Sequence, residues 1–166
     1  GAAWTLAAAD LPAYHPRASA RIITDETVLG TMGECHPKVL EAFDIDQPVF
    51  LLDLDITELL NIERPAAVFS QPPTLPPSLR DLAVVVDTAV PAGDLVKTAR
   101  ASGGKLLSQV LIFDVYTGKQ VPEGKKSIAL SLVFQAPDRT LTDKDTDKSV
   151  EKILTALREA HGAELR

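Results

Sequence analysis

The chain has 166 residues, of which 45% are hydrophobic and 24% are charged, and its formal net charge is −6. This length and composition allow a buried core and exclude disorder along the whole chain. A single cysteine excludes an intrachain disulfide and favours a reducing compartment, so we predict a cytoplasmic protein. No run approaches the roughly 20 apolar residues that cross a bilayer, so we expect no membrane partner.

Charge is distributed unevenly on the two sides of Ser70. Residues 1–70 hold 4 basic and 11 acidic residues, which gives a formal charge of −7. Residues 71–166 hold 13 basic and 12 acidic residues, which gives a formal charge of +1. We therefore expect the two parts to face different partners, and bulk charge does not indicate a nucleic-acid binder. The sequence begins without Met and without the basic segment of a signal peptide, which predicts a piece excised from a longer chain.

Residues 1–63 are predicted to be rich in β-structure. Three strands and a short helix make a thin core, so we interpret this part as a small antiparallel remnant of a larger module. Gly30 and Gly33 give the backbone freedom for a bend or bulge. The predicted elements are two strands within 19–34 around a turn at Asp25 and Glu26, a helix at 37–43, a strand at 48–54 and a turn of helix at 56–61.

The first part contains few candidates for chemistry. His15, Cys35 and His36 match no zinc spacing, and we favour structural roles for them. Asp53 and Asp55 could be paired carboxylates, but a solvated strand edge is the preferred interpretation. We therefore predict neither a catalytic residue nor a metal ligand.

Five prolines within residues 64–78 predict an extended linker, because proline fixes φ and withholds an amide donor. A ligand for SH3-type domains is the alternative. The predicted domains are accordingly 1–63, the linker 64–78, and 79–166.

The third segment, residues 79–166, shows a regular order of strand and helix patterns. Thr142 is predicted to cap the N-terminus of the last helix, and Asp145, three residues later, completes a capping box. Gly162 is predicted to end the same helix. The order β-α-β-β-α-β is the ferredoxin-like arrangement, an α+β fold with an antiparallel sheet and both helices on one face. The elements are a strand at 79–87, a helix at 91–102, two strands within 106–134 joined by a lysine-bearing loop, a helix at 142–162 and a strand at 163–166.

Alternation along the strands divides the side chains between a covered and an open face. The covered face is predicted to hold Leu82, Val84, Val86, Leu111, Phe113, Val115, Ile128, Leu130, Leu132, Phe134 and Leu165. The open face is predicted to hold Ala83, Val85, Asp114, Tyr116, Ser127, Ala129, Ser131 and Arg166. Small residues with one ring and several polar groups suit a flat ligand such as a nucleic-acid base.

Several motifs together resemble a known family. The strand and loop segments RDLAVVVD, FDVYTG, VPEGKKS and APDRTLTD and the terminal GAELR are similar to the ferredoxin-fold anticodon-binding domain of the bacterial phenylalanyl-tRNA synthetase beta subunit. Upstream, GTMGECHPKV resembles the end of the catalytic-like module of the same subunit. The resemblance covers nearly the whole chain, with its motifs in the same order.

The resemblance implies that the open face binds the anticodon of tRNA(Phe), with Asp114, Tyr116, Ser127 and Ala83 at positions that match family contacts. It also implies that the alpha subunit of an (αβ)2 enzyme is a partner. ATP and Mg²⁺ would belong to that intact ligase, and no cofactor is expected in this fragment.

Basic residues near the strand ends are candidates for phosphate contacts. Lys119, Lys125 and Lys126 are predicted to lie in the loop between the two strands, and Arg139 follows the third strand. Solvated side chains are an equally plausible interpretation of the three lysines.

Several alternatives stay open at the level of sequence. Tyr116 could be half-buried under the loop that follows it, and Asp114 could cap the turn at Thr117 and Gly118. The whole domain could instead be a regulatory module that binds an amino acid, or a protein-interaction domain.

Overall fold

The computed structural model describes residues 4–24, 27–63, 66, 68–69 and 74–166. The chain divides into two compact units, residues 1–69 and 70–166. The predicted turn at Asp25 and Glu26 lies outside the described residues, as does much of the predicted linker. No helix in the described ranges has both the length and the apolar character needed to cross a membrane.

The first unit is an antiparallel sheet in which neighbouring strands follow one another along the chain. Its elements are β1 (Thr5–Ala8), β2 (Tyr14–Thr24), β3 (Thr27–Cys35), α1 (Pro37–Ala42), β4 (Phe50–Leu54) and α2 (Ile56–Asn61). Strand β1 was not predicted, since its residues TLAA show no clear alternation and it is defined by its backbone pairing with β2. A Cβ on Gly30 would lie 2.1 Å from the Asp53 carbonyl oxygen, so close approach of β4 requires glycine there.

The second unit has the predicted β-α-β-β-α-β order. Its elements are β5 (Ser78–Asp87), α3 (Ala92–Ser102), β6 (Leu107–Tyr116), β7 (Lys125–Phe134), α4 (Asp143–His161) and β8 (Glu164–Leu165). The strands lie in the order β6-β7-β5-β8, and every neighbouring pair is antiparallel. The α+β, ferredoxin-like prediction is therefore confirmed.

One face of this sheet packs against α3 and α4. The side chains of Val84, Ile128, Leu130 and Phe134 are fully buried there. The helices contribute buried residues from their apolar stripes, Leu95 and Ala99 from α3, and Ile153 and Leu157 from α4. Each fully buried side chain of this size stabilises the fold by about 1.5–3 kcal/mol, so this core determines which sheet face is covered.

A β-bulge in β6 makes part of the predicted alternation wrong. Ile112 pairs with Leu130 and Asp114 pairs with Ala129, so Phe113 is an extra residue between them. Beyond the bulge the prediction is correct, and Asp114 lies on the open face. Before the bulge the predicted assignment of side chains to the two faces is reversed. Leu111, predicted on the covered face, lies opposite Ser131 on the open face.

Three other residues assigned to the covered face are exposed. Phe113 and Val115 belong to β6, and Leu165 belongs to β8, and these are the two edge strands of the sheet. The fully buried strand residues are concentrated on the central strands β7 and β5. An edge position therefore leaves even an inward-facing apolar side chain partly in solvent.

The predicted capping box starts α4. The Asp145 carboxylate accepts hydrogen bonds from the Thr142 backbone N–H (3.0 Å) and from its hydroxyl (2.8 Å). These bonds lower the pKa of Asp145 below its ordinary value of 3.8, the backbone bond contributing most. At the other end Gly162 adopts the left-handed conformation with φ 61°.

Replacing Thr142 with Ala is expected to lower the free energy of unfolding by about 1 kcal/mol, because the cap hydroxyl is lost. Urea unfolding followed by far-UV circular dichroism measures the change. Thr155→Ala is the matched control, since this exposed threonine lies inside the same helix and, among the described residues, its hydroxyl bonds only to the Glu151 carbonyl (2.9 Å). Equal losses in the two variants would contradict a specific role for the cap.

The Asp145 carboxylate should also make stability depend on pH. Because its pKa is lowered on folding, its contribution is complete above 3.8 and is lost as the pH falls through the folded value. We expect wild-type protein to exceed Asp145→Ala in stability at neutral pH, and the difference to shrink in strong acid. A difference that is independent of pH in urea unfolding would contradict this linkage.

Candidate functional site

The sheet register brings four of the predicted site residues together on the open face. Cross-strand partners point to the same side of a sheet. Two rows therefore cross β6, β7 and β5 on the face away from the helices: Asp114, Ala129 and Ala83 form one, and Tyr116, Ser127 and Val85 form the other.

Tyr116 is held in place by its neighbours on this face. A Cβ on Gly118 would lie 2.2 Å from the Tyr116 hydroxyl oxygen, so the ring lies directly against the glycine backbone of the following loop. The guanidinium carbon of Arg166 lies over the ring, 5.3 Å from its centroid. The residue is 36% exposed. Its ring is therefore a partly covered surface, and the loop contact considered from the sequence is present.

Arg166 reaches across the open face from the far edge of the sheet. Its backbone N–H donates to the Ala83 carbonyl (3.0 Å). Its guanidinium donates to Gln120 Oε1 (2.9 Å) and approaches Ser127 Oγ at 3.5 Å. The sequence pattern predicted Arg166 on this face but indicated no function for it. Gln120 was not predicted, because a loop residue belongs to no periodic pattern that would locate it.

Ser127 and Asp114 differ sharply in accessibility. Ser127 is only 3% exposed and borders the Arg166 guanidinium, so its hydroxyl is hidden in this conformation. Asp114 is exposed on the edge strand, and its carboxylate makes no hydrogen bond or ion pair to any described residue. The turn-capping contact considered for Asp114 is thus not formed, and its oxygen atoms are available as acceptors.

Lys125 and Lys126 were wrongly predicted to lie in the loop between the strands. They are the first two residues of β7, because a tight turn closes just before them: the Lys125 N–H donates to the Pro122 carbonyl (3.0 Å), and Gly124 has φ 79°. A left-handed glycine at that point lets the chain enter the strand one residue later.

The predicted basic residues do not contact Tyr116, and the cation over its ring is Arg166. Lys125 Nζ pairs with Glu164 at 3.1 Å, and Lys126 Nζ donates to the Thr88 carbonyl at 3.0 Å. Lys119 lies exposed in the loop before β7. Lys119 makes no hydrogen bond or ion pair to any described residue.

Arg139 lies at the other end of the sheet. It follows the last residue of β7, Phe134, which is seven positions from Ser127, or about 23 Å along an extended strand. Its guanidinium is 3.5 Å from Asp138. The fold does not bring Arg139 together with the other predicted site residues.

The polar candidates of the first unit have local structural contacts. His36 Nδ1 accepts from the Lys38 N–H (3.1 Å) at the start of α1, and His15 Nδ1 accepts from the Arg17 N–H (3.2 Å). Asp55 caps α2 by accepting from the Thr57 N–H (2.9 Å). Within the described ranges, no three His, Cys, Asp or Glu side chains form a group that could hold a metal ion.

Each of the two units matches a protein-family model. Residues 73–166 match the ferredoxin-fold anticodon binding domain, and residues 1–56 match the phenylalanyl tRNA synthetase beta chain CLM domain. The first match covers more than half of the chain.

The chain is also similar to curated proteins named phenylalanine–tRNA ligase beta subunit. It is 46% identical to that of Syntrophotalea carbinolica over 152 residues, which are 92% of this chain and 19% of that protein. It is 39% identical to that of Clostridium tetani over 155 residues, 93% of this chain and 20% of that protein. The Bacillus subtilis protein is 38% identical over 152 residues, 92% of this chain and 19% of its own. The chain thus spans about a fifth of the length of these relatives.

Gly118→Ala is expected to displace the Tyr116 ring, because the added Cβ would lie 2.2 Å from its hydroxyl oxygen. Aromatic NMR signals of Tyr116 should shift strongly. Gly93→Ala is the control, since a Cβ there meets nothing within 4 Å. Unchanged Tyr116 signals in Gly118→Ala would show that the ring does not depend on this contact.

Proposed function

The chain belongs to the ferredoxin-fold anticodon binding domain family, and on that premise we propose that its second unit binds the anticodon bases of tRNA(Phe) on the open sheet face. The observation that carries the proposal is the pair of rows in which Asp114, Tyr116, Ser127 and Ala83 meet. The family match favours this function over the amino-acid regulatory alternative.

The chemistry of the face suits unpaired bases. Proteins recognise single-stranded RNA by stacking bases on aromatic rings and by hydrogen bonding to base edges. Tyr116 supplies the ring, and the exposed Asp114 carboxylate can accept hydrogen bonds from amino and imino groups. Ala83 and Ala129 leave room between them for a flat ring to approach the sheet.

The cation at these rows is Arg166, which lies over the Tyr116 ring, whereas most of the predicted basic residues are held elsewhere, and this favours base contacts over phosphate contacts. Of the proposed basic residues, Lys125 is paired with Glu164, Lys126 is held at the Thr88 carbonyl, and Arg139 lies at the far end of the sheet. Lys119 is the best placed for a phosphate. We therefore propose that affinity depends only weakly on salt, since each neutralised phosphate of a single strand contributes a slope of about −0.7.

For the chain as a whole we propose the domain roles predicted from the sequence. Residues 1–63 form the end of the catalytic-like module, 64–78 form the linker, and 79–166 form the anticodon-binding domain. The protein would act in the cytoplasm as part of a phenylalanine–tRNA ligase beta subunit. In such an enzyme ATP and Mg²⁺ would belong to the intact ligase.

We propose that the first unit contacts another subunit of the enzyme, and that this partner is the alpha subunit. Leu6, Met32, Leu52 and Phe50 are exposed, and the strand register puts them on one face of the sheet. Phe50 is 76% exposed. A contiguous apolar face of this kind is typical of protein contacts.

Tyr116→Ala is expected to weaken binding of the tRNA(Phe) anticodon stem-loop by about 1–3 kcal/mol, because one stacked base loses its ring. Isothermal titration calorimetry with the full chain measures the affinity. Tyr116→Phe keeps the ring and should bind nearly as well as wild type. Lys152→Ala, which removes an exposed cation from α4 on the helix side of the sheet, controls for general charge effects.

Wild-type affinity in Tyr116→Ala would contradict stacking on this ring. No affinity of the wild-type chain for the stem-loop would contradict the proposed function itself.

A further inference from the structure

Arg166 carries a positive charge that no described acidic group neutralises. Its guanidinium contacts neutral groups alone in the described part of the chain: Gln120 Oε1, Ser127 Oγ and the Tyr116 ring. The ion pairs found there belong to Arg80, Lys125 and Arg139. An exposed guanidinium with neutral neighbours is available to a further electron-rich partner.

The guanidinium also lies where a base would have to approach. At 5.3 Å from the ring centroid, its carbon is within the roughly 6 Å typical of a cation–π contact. The ring contacts Gly118 as well. A base that arrives from solvent on this side of Tyr116 therefore meets the Arg166 guanidinium before it meets the ring.

A guanidinium is planar and can stack on both of its sides. Arginine stacks on aromatic faces, and RNA bases stack on guanidinium planes as they do on aromatic rings. The Arg166 guanidinium carbon lies over the Tyr116 ring and the residue is exposed, so a second planar partner has access to the group from the side away from the ring. The residue thus extends the aromatic surface outward by one more layer.

Two anchors hold this layer in position. The Arg166 backbone N–H is bonded to the Ala83 carbonyl at 3.0 Å, and the end of its side chain is bonded to Gln120 Oε1 at 2.9 Å. A long side chain fixed at both ends loses less conformational freedom when it binds a ligand. The arrangement is therefore preformed in the absence of RNA.

We propose that Arg166 is a base-binding residue of this site, with an anticodon base stacking on the outer side of its guanidinium so that base, Arg166 and Tyr116 form one continuous stack. The inference rests on the proposed function and adds to it the group that the base contacts. Ser127 then serves chiefly to support the guanidinium, in agreement with its burial.

Substitutions of Arg166 distinguish a stacking role of the guanidinium from a purely electrostatic role. Lysine keeps the charge but lacks the planar group. The experiment titrates the full chain with the anticodon stem-loop at several salt concentrations. It compares wild type with Arg166→Lys, Arg166→Ala, Tyr116→Ala and the Arg166→Ala/Tyr116→Ala double variant. Thermal unfolding checks that each variant is folded, and the backbone bond to Ala83 does not involve the side chain that is replaced.

Three results are expected. Arg166→Ala weakens binding on the order of tenfold, and Arg166→Lys recovers little of that loss. The slope of affinity against salt concentration is the same in Arg166→Lys as in wild type. In the Tyr116→Ala background, Arg166→Ala costs much less than it does alone, because the two groups act as one stack.

Other results would overturn the inference. Unchanged or tighter binding by Arg166→Ala would show that the guanidinium merely covers the ring. Wild-type affinity in Arg166→Lys, with a salt slope reduced by about 0.7 in Arg166→Ala, would assign the residue to a phosphate. Additive losses in the double variant would exclude a common stack.

The same titrations distinguish this inference from the proposed function. If wild type binds and Tyr116→Ala loses affinity while Arg166→Ala does not, only the role of Arg166 fails. If the wild-type chain does not bind the stem-loop, the proposed function and this inference both fail.

Discussion

The apolar contact between one face of the second sheet and helices α3 and α4 determines the rest of this structure. Val84, Ile128 and Phe134 on the strands are fully buried against Leu95 and Leu157 on the helices. Since both helices lie on the same side, the opposite face has no layer of its own to cover it. Side chains on alternate strand positions then lie on a face that the helices leave uncovered, which gives a flat group such as a base access to the sheet.

The bulge at Phe113 adjusts this array locally. An extra residue in β6 changes which side chains face outward, and the change occurs immediately before Asp114. Without it, continuous alternation from Leu111 would send Asp114 and Tyr116 toward the helices. The polar site on the open face and the buried Val110 earlier in the same strand therefore both depend on one irregularity.

Arg166 shows how distant parts of the chain complete the site. Strand β8 pairs with β5, and this pairing brings a residue 50 positions after Tyr116 to the same face. The loop between β6 and β7 contributes Gln120, which holds the guanidinium. Three separate segments thus position the Arg166 guanidinium, and the sequence pattern of none of them indicates its contact with Tyr116.

The sequence by itself determined the order of elements in the second unit, the capping box at Thr142 and Asp145, and the open-face positions of Ser127 and Ala83. These depend on local periodicity and on hydrogen bonds between near neighbours, which the residue order specifies directly. Only the tertiary structure decided the reversed parity at Leu111, the strand positions of Lys125 and Lys126, the distance of Arg139 from the site, and the Arg166 contact. Register shifts and cross-strand neighbours arise from pairing between segments far apart in the chain, and such pairing leaves no periodic signal within either segment.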